Sequence, residues 1–303
     1  MTKPATWQRR VLRGVVIYAV VPYLSIVMIF TTFQRRLMYR PTSAVSLSVA
    51  ELRLDPNEFR DVQLLTSDGE ILRGWLLTGQ QAENDDDETT RRLLIYFPGN
   101  SLNRHERIQD LQEVANCGHD VLIFDYRGFG DSTGMPSEVA LTNDAKQIWT
   151  FARVELHYPE NQITIFGESL GGAVALSLWS DPSPVAPRPS TLILSSTFAS
   201  MSQTVREHYP WFPFHLLLLD RWPSLNRIKN VTVPITIFHG TEDDFVSLAQ
   251  ARQLAQASAN AKLVEIRGSG HNDIPMMQLR ALLKSVPPSV SPLPIGEHGK
   301  AVP

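Results

Sequence analysis

The sequence predicts an α/β fold, a mostly parallel sheet with helices on both faces, preceded by an N-terminal transmembrane helix. Three observations support this prediction. An uncharged run of twenty residues, GVVIYAVVPYLSIVMIFTTF, extends from Gly14 to Phe33. After it, short apolar runs typical of strands buried on both faces alternate with segments of helical period. One of these runs, Ile163–Phe166, leads directly into the motif G-x-S-x-G.

The uncharged run predicts a membrane anchor within residues 1–40, with the span at about 14–33. As a helix it is about 30 Å long, which matches the hydrocarbon core of a bilayer. Arginines flank both ends, as interfacial anchoring requires. A cleaved signal peptide would be shorter and end in small residues, and a soluble helix would rarely be apolar on every face. Basic residues within about 20 positions of either end are equal in number, so the side of the membrane that the domain faces stays open.

Charge is divided unevenly along the 303 residues. Residues 1–40 hold seven basic residues and no acidic one, whereas the rest holds 21 basic and 31 acidic residues, a net charge of −10. A net negative charge of this size on residues 41–303 argues against nucleic acid as a partner. The single cysteine, Cys117, excludes an internal disulfide, and 43% hydrophobic residues are too many for a disordered chain.

Local patterns predict the elements of the body in order. Phe59–Leu65 and Ile71–Leu77 flank the turn signal at Asp68 and predict a hairpin, and the charged run 82–90 predicts a solvated loop. The later apolar runs predict the strands Leu93–Phe97, Val121–Phe124, Ile163–Phe166, Leu192–Leu194, Ile235–Phe238 and Leu263–Ile266. Apolar residues at helical spacing predict two helices, one carrying Leu141, Ala145, Ile148 and Ala152 and one carrying Met276, Leu279, Leu283 and Val286.

These elements are expected to form one domain over residues 41–285. Within it, residues from about 197 to 230 are rich in aromatic residues and leucine. They form either a small cap over an apolar pocket or an ordinary pair of packed helices. The tail 286–303 contains five prolines and no periodic pattern, so it is predicted to be disordered.

Ser169 is the candidate nucleophile. It lies in Gly167-Glu168-Ser169-Leu170-Gly171, between a predicted strand and a helix of small residues, which is the context that gives the motif its meaning. The turn brings the residues on either side of the serine close together, so Gly167 and Gly171 must lack side chains. The alternative is a glycine-rich turn in which the serine is incidental.

A serine hydroxyl needs a base, and the base needs an orienting carboxylate. His271 follows the last predicted strand, at the same sheet edge as Ser169, and is the candidate base. His239 ends the preceding strand and is expected to shape its loop. That loop supplies the candidate acid, Asp243, with Asp244 as a local competitor. The order nucleophile, acid, base is that of one of the known serine-hydrolase arrangements.

The tetrahedral intermediate also needs donors for its oxyanion. The backbone N–H of Leu170, the residue after the nucleophile, is one candidate. The second is the N–H of Asn100, in the Pro98-Gly99-Asn100 turn that follows an earlier strand. Alternatively, that turn only ends the strand and supplies no donor.

Taken together, these motifs resemble the α/β-hydrolase superfamily, and within it the Bem46-like, ABHD12/ABHD13-type group of membrane-anchored serine hydrolases. The motifs that carry the resemblance are Asp68–Trp75, Gly99-Asn100, Phe124–Gly134, Gly167–Gly172, His239-Gly240 with Asp243, and His271-Asn272-Asp273. The resemblance covers roughly residues 30–285 and implies Ser169 as nucleophile, Asp243 as acid and His271 as base. One departure is Pro98, where many members have histidine. Because the substrates of the family are diverse, the resemblance specifies the mechanism more closely than it specifies the substrate.

The sequence therefore predicts a membrane-bound serine hydrolase that acts on a small acyl or lipid-like substrate, an ester or thioester, through an acyl-enzyme. A serine peptidase on the same fold is the first alternative, and a catalytically silent, membrane-tethered binding module is the second. No cofactor or metal is expected, because the chain lacks the usual metal and ATP motifs. The glycines of Gly128–Gly134 are one residue too widely spaced for a dinucleotide site.

Overall fold

The computed structural model describes residues 6–80, 91–180, 187–273 and 276–285. The predicted loop 82–90 and the tail 286–303 lie outside these residues. The strands are β1 Arg40–Pro41, β2 Phe59–Leu65, β3 Ile71–Leu77, β4 Arg92–Phe97, β5 Ser101–Leu102, β6 His119–Phe124, β7 Ile163–Glu168, β8 Thr191–Ser195, β9 Ile235–Gly240 and β10 Ala261–Ile266. The α-helices are α1 Thr6–Val15, α2 Val21–Met38, α3 Ile108–Ala115, α4 Glu138–Val154, α5 Leu170–Leu176, α6 Met201–His208, α7 Phe214–Leu217, α8 Ser224–Arg227, α9 Leu248–Gln256 and α10 Met276–Ser285.

The first described element is a long helix whose middle is apolar. Helices α1 and α2 are joined by a π-helical turn, Val16–Val20, and continue as one rod. Pro22 lies at the start of α2, where the widened turn before it accommodates a residue that cannot donate an N–H. Residues Trp7–Met38 are long and apolar enough to cross a membrane, and none of their apolar window is buried. The helix therefore fits a single anchor.

The central sheet is mostly parallel. Within the described residues, eight strands pair in the order β10-β9-β8-β7-β4-β6-β3-β2, and only β3 runs antiparallel to its neighbours. The predicted hairpin is confirmed, with Phe59 paired to Leu77 and Leu65 to Ile71. Strand β4 lies between β6 and β7, which both follow it in the chain. Ligands of open α/β sheets bind at the carboxyl ends of strands beside such a switch in order.

Helices cover both faces of this sheet. On one face, α4 buries the four predicted residues Leu141, Ala145, Ile148 and Ala152 in the larger core cluster. On the other face, α3 and α10 contribute Leu111, Leu279 and Leu283 to a second cluster. Both faces of the parallel strands are thus apolar, which is why their sequences read as continuous apolar runs.

The glycine-rich stretch after β6 has a structural role. Arg104 pairs with Asp125 and lies 2.6 Å from Asp131, with both ends of these pairs buried. Gly130 has a positive φ of 53°, and a Cβ there would lie 2.1 Å from the Asp125 carboxylate. The stretch therefore folds tightly around a buried ion cluster. Its glycines are needed because a side chain would not fit in so tight a turn.

Segment 197–230, for which the sequence leaves a cap and an ordinary pair of packed helices as alternatives, leaves the sheet after β8. It holds the short helices α6, α7 and α8 and returns to β9. Pro210, Pro213 and Pro223 separate the three helices, because proline cannot continue a helix through its interior. Glu138, at the start of α4, accepts hydrogen bonds from the N–H groups of Arg221 and Trp222 and so attaches the segment to the domain.

Candidate active site

The turn from β7 to α5 presents Ser169 in a strained backbone conformation. Its φ is 51° and its ψ −114°, a backbone region that residues other than glycine rarely occupy. A Cβ at Gly171 would lie 1.9 Å from the Phe97 carbonyl oxygen, and one at Gly167 would lie 2.6 Å from the Gly171 carbonyl oxygen. Both glycines are therefore required for the turn, as the sequence predicts.

Ser169, His271 and Asp243 lie along one line of hydrogen bonds. His271 Nε2 is 3.0 Å from Ser169 Oγ, and His271 Nδ1 is 2.8 Å from Asp243 Oδ2. The structure thus brings together the three side chains that the sequence selects, from loops after three different strands. With Nδ1–H donating to the carboxylate, Nε2 is left free to accept the proton of the serine hydroxyl.

Asp243 is held as an anion. Its Oδ1 accepts hydrogen bonds from the N–H groups of Phe245 and Val246, at 3.0 and 2.7 Å. Burial raises the pKa of this carboxyl, but hydrogen bonds from His271 and the Val246 N–H, with the nearby imidazoles, outweigh burial and hold the pKa of Asp243 below its usual range. A negative charge is thus maintained directly behind the imidazole of His271.

His239 lies behind this line and does not reach the serine. Its ring is fully buried, and Nε2 donates to the Val246 carbonyl oxygen at 2.9 Å. Burial lowers the pKa of His239, which favours the neutral ring. The residue therefore shapes the loop that carries Asp243, as expected from its position at the end of β9.

The two proposed oxyanion donors differ in what surrounds them. Leu170 begins α5, so its N–H is one of those that a helix leaves without an internal partner. Asn100 is tied elsewhere by its other groups: its side-chain amide donates to the Met38 carbonyl oxygen at 2.9 Å, and its own carbonyl accepts from the Arg40 N–H at 2.9 Å. The loop after β4 is thus linked to the end of the apolar helix, a contact that the sequence does not reveal.

A polar cluster beneath the nucleophile also escapes prediction. The Tyr96 hydroxyl donates to Glu168, the residue before Ser169, at 2.6 Å, and Arg107 lies 3.2 Å from the same carboxylate. The only sequence signal is the glutamate inside G-x-S-x-G, and nothing in the sequence indicates its partners. Burial raises the pKa of the Tyr96 hydroxyl well above its usual range, so this residue remains a hydrogen-bond donor.

A cavity of about 90 Å³ opens between this cluster and the imidazole. Its lining includes Tyr96, Arg107, Glu168 and His271. Pockets that enclose a drug-sized ligand measure roughly 300–1,000 Å³, so a long acyl chain does not fit inside this one. Ser169 is not among its lining residues, so the cavity borders the candidate site on the side of the imidazole.

Two further contacts support the imidazole. The Ser196 hydroxyl donates to the His271 carbonyl oxygen at 2.9 Å. The ring of Phe245 lies 5.0 Å from the ring of His271 and 5.5 Å from that of His208, at the end of α6. Segment 197–230 therefore borders the site through Phe245, a residue that sequence reasoning overlooked.

Comparison with known proteins gives one family and several relatives. The family model described as "Hydrolase_4: Serine aminopeptidase, S33" matches residues 91–226. The chain is 33% identical over 277 residues to the uncharacterized protein Rv2307c of Mycobacterium tuberculosis, a match that covers 90% of this chain and 94% of that protein. It is 29% identical over 189 residues to the lysophosphatidylserine lipase ABHD12 of Macaca fascicularis, covering 57% of this chain and 47% of that protein.

Solved structures show the same fold. The Pyrococcus furiosus esterase Pf2001 is similar with a TM-score of 0.59 and 19% identity, covering 80% of this chain and 95% of that one. An α/β hydrolase from Vibrio vulnificus is similar with a TM-score of 0.64 and 19% identity, covering 81% and 85%. These likenesses confirm the fold predicted from the sequence.

Proposed function

The chain belongs to the α/β-hydrolase family of enzymes, and from that membership we propose that it is a serine hydrolase that cleaves carboxylic ester, thioester or related acyl substrates. The observation that carries the proposal is the line of hydrogen bonds from Ser169 through His271 to Asp243, at 3.0 and 2.8 Å. A neutral hydroxyl is a weak nucleophile, and this arrangement supplies the base that activates it.

The proposed reaction proceeds in two halves. His271 Nε2 takes the proton of Ser169 as its Oγ attacks the carbonyl carbon, and the oxyanion accepts hydrogen bonds from the N–H groups of Leu170 and Asn100. His271 then gives the proton to the leaving alcohol or thiol, which leaves an acyl group on Ser169. Water, deprotonated by His271, attacks that acyl group, and His271 returns the proton to Ser169 Oγ as the bond to the acyl group breaks and the acid is released. Asp243 keeps the imidazole in the required tautomer throughout.

The proposed substrate is an acyl ester or lipid-like molecule at a membrane. Relatives of this chain include a lysophosphatidylserine lipase, which supports a lipase- or esterase-type activity. The apolar helix Trp7–Met38 supports a single membrane anchor. Arg9, Arg10 and Arg13 on one side and Arg35 and Arg36 on the other lie where the head groups of a bilayer would be.

Labelling with a fluorophosphonate, which reacts with activated serines, tests the catalytic assignment. We expect the wild type to be labelled, and both Ser169→Ala and His271→Ala to lose labelling. Ser67→Ala, which alters an exposed serine in the turn after β2, is the matched control and should label as the wild type does. Absence of labelling in folded wild type, or undiminished labelling of Ser169→Ala, would refute the assignment.

A series of p-nitrophenyl esters tests the substrate class. Because the proposed substrate is lipid-like, we expect kcat/KM to rise as the acyl chain lengthens from acetate. A preference for acetate over every longer chain would contradict a lipid-like substrate while leaving the catalytic assignment intact.

A serine peptidase is the second candidate, favoured by the family description "Serine aminopeptidase, S33" for residues 91–226. Aminoacyl p-nitroanilides distinguish it from an esterase. Release of nitroaniline by the wild type but not by Ser169→Ala, at a kcat/KM above that for the esters, would establish the peptidase instead.

A further inference from the structure

The apolar helix does not stand apart from the catalytic domain, because one segment of the domain packs along its side. Residues 209–219, here called the aromatic segment, read YPWFPFHLLLL and contain no Asp, Glu, Lys or Arg. The ring of Phe214 stacks on Phe30 with centroids 3.9 Å apart, and the ring of Phe212 stacks on Tyr23 at 5.2 Å. The segment thus follows the helix from its end back toward its middle.

The depth of these contacts follows from the charges of the helix. With Arg9, Arg10 and Arg13 at head-group level, the hydrocarbon core extends from about Gly14 to Phe33. Tyr23 is ten residues from Phe33, about 15 Å along the helix, which is half of a core about 30 Å thick. Moving Tyr23 to the membrane surface would draw the three arginines into hydrocarbon, which is strongly unfavourable. The tip of the aromatic segment therefore lies within the leaflet.

Backbone groups within hydrocarbon or at its edge need partners inside the protein, and here the helix provides several. Gln34, which is only 3% exposed, donates to the Leu217 carbonyl oxygen at 3.2 Å and accepts from the Leu219 N–H at 2.7 Å. The Tyr23 hydroxyl donates to the Trp211 carbonyl oxygen at 3.3 Å. Pro210 and Pro213 carry no N–H that would need a partner.

A charged pair marks where the aromatic segment ends. Arg35 Nε lies 2.9 Å from the buried carboxylate of Asp220, which also accepts a hydrogen bond from the Tyr39 hydroxyl at 3.1 Å. Trp222 Nε1 in turn donates to the Tyr39 oxygen at 3.2 Å. This polar group lies just beyond Phe33, at the level where the hydrocarbon core ends. It fixes the aromatic segment in register with the helix.

The outer face of the aromatic segment is apolar and uncovered. Trp211 is 86% exposed, Leu216 64% and Leu219 65%. We propose that the aromatic segment is inserted in the bilayer leaflet on the side of the catalytic domain, so that the protein contacts lipid through this segment as well as through its anchor. The occupant of this face is lipid, because the face continues the apolar surface of the helix at the same depth.

The inserted segment leads to the candidate active site. It follows directly on α6, whose last residue, His208, lies 2.8 Å from the Phe245 carbonyl oxygen through Nε2, and Phe245 contacts His271. An amphiphile in the leaflet would meet the site along this path with its chain still in lipid. This route rests on the proposed function, whereas the insertion itself rests only on the anchor spanning a membrane.

Site-specific fluorescence of the full chain in phosphatidylcholine vesicles tests the insertion. In a Cys117→Ser background, single cysteines at Leu216→Cys and Leu219→Cys carry an environment-sensitive fluorophore, and nitroxide lipids quench it on contact. Met28→Cys, at a position 66% exposed on the helix, reports on the anchor. Val154→Cys, at a position 55% exposed at the end of α4 that is far from Glu138, is the matched soluble control. We expect blue-shifted, quenched emission at the first three sites and unquenched emission at Val154.

Each other outcome is decisive. Quenching at Met28 with none at Leu216 and Leu219 would overturn the insertion while leaving the anchor in place. A blue shift at the two leucine sites without quenching would mean that protein, such as a second copy of the chain, covers the face. Unquenched emission at Met28 would refute the anchor and with it the insertion. Fluorophosphonate labelling of the same samples reports the catalytic serine independently.

Discussion

Asp243 Oδ2 lies 2.8 Å from His271 Nδ1, at the end of a line that begins with the hydroxyl of Ser169. The geometry fixes both the position and the tautomer of the imidazole. Because the second carboxylate oxygen is held by two backbone N–H groups, the acid cannot turn away from the histidine without losing them. Its neighbour Asp244, the competitor in the sequence, is exposed.

Asp243→Asn is expected to reduce kcat for ester hydrolysis by roughly 10²–10⁴-fold, since an amide stabilises the wrong tautomer and cannot stabilise an imidazolium. The measurement is steady-state kinetics on a p-nitrophenyl ester, with the unfolding transition as a check on folding. Asp244→Asn is the matched control and should retain the wild-type kcat. A loss at Asp244 in place of Asp243 would reverse the assignment of the acid.

Gly171→Ala is expected to abolish fluorophosphonate labelling and lower the yield of folded protein. The new Cβ would lie 1.9 Å from the Phe97 carbonyl oxygen, a distance that only movement of β4 or α5 can relieve. Gly14→Ala, with no atom within 4 Å of the added Cβ, should be tolerated. Wild-type labelling by Gly171→Ala would show that the turn is looser than its geometry indicates.

Tyr96→Phe is expected to lower the free energy of unfolding by about 1–3 kcal/mol, because Glu168 loses a hydrogen bond at a mostly buried site. In a double-mutant cycle, the loss should shrink when Glu168 is already Gln, with a coupling energy of about 0.5–3 kcal/mol. Tyr209→Phe, at a half-exposed position, controls for removal of a hydroxyl as such. Strictly additive effects of Tyr96→Phe and Glu168→Gln would mean that the contact contributes nothing.

His119 predicts a pH dependence of stability. Burial lowers the pKa of His119 from 6.5 to about 4, so the unfolded chain binds a proton there between these values and the folded chain does not. The free energy of unfolding is therefore unaffected by this group above pH 6.5. It decreases as the pH falls toward 4, by up to about 3 kcal/mol. Unfolding free energies of wild type and His119→Gln, compared from pH 7.5 to 4, should differ progressively in this window. A constant difference would contradict the prediction.

Much of the sheet was predictable because its strands carry local signals. The hairpin of β2 and β3 has the predicted bounds, since two strand-like runs around a turn signal can be recognised without tertiary information. The parallel strands were placed correctly but were predicted one or two residues too short at polar ends. β6 begins at His119, whose ring is buried, and β7 ends at Glu168, which accepts a hydrogen bond from Tyr96 72 residues earlier in the chain.

The residues that surround the candidate site were harder to predict from the sequence. Arg107 and Tyr96 meet Glu168 only because β4, β7 and the turn before α3 come together in the fold. Phe245 and Ser196 support the imidazole from two further loops, and neither lies in a motif. These contacts join residues 26 to 75 positions apart in the chain and leave no periodic or local pattern, so the sequence alone could not identify them.

By itself, the sequence determined the apolar helix, the alternation of strands and helices, and the residue types available for a serine mechanism, because each depends on spacing along the chain. Only the tertiary structure decided that Asp243, and not Asp244, faces His271. It also decided that residues 209–219 lie against a helix that ends at Met38, some 170 residues earlier in the chain. The physical reason is that a side chain's direction, and the partner it meets, are set by how the elements pack.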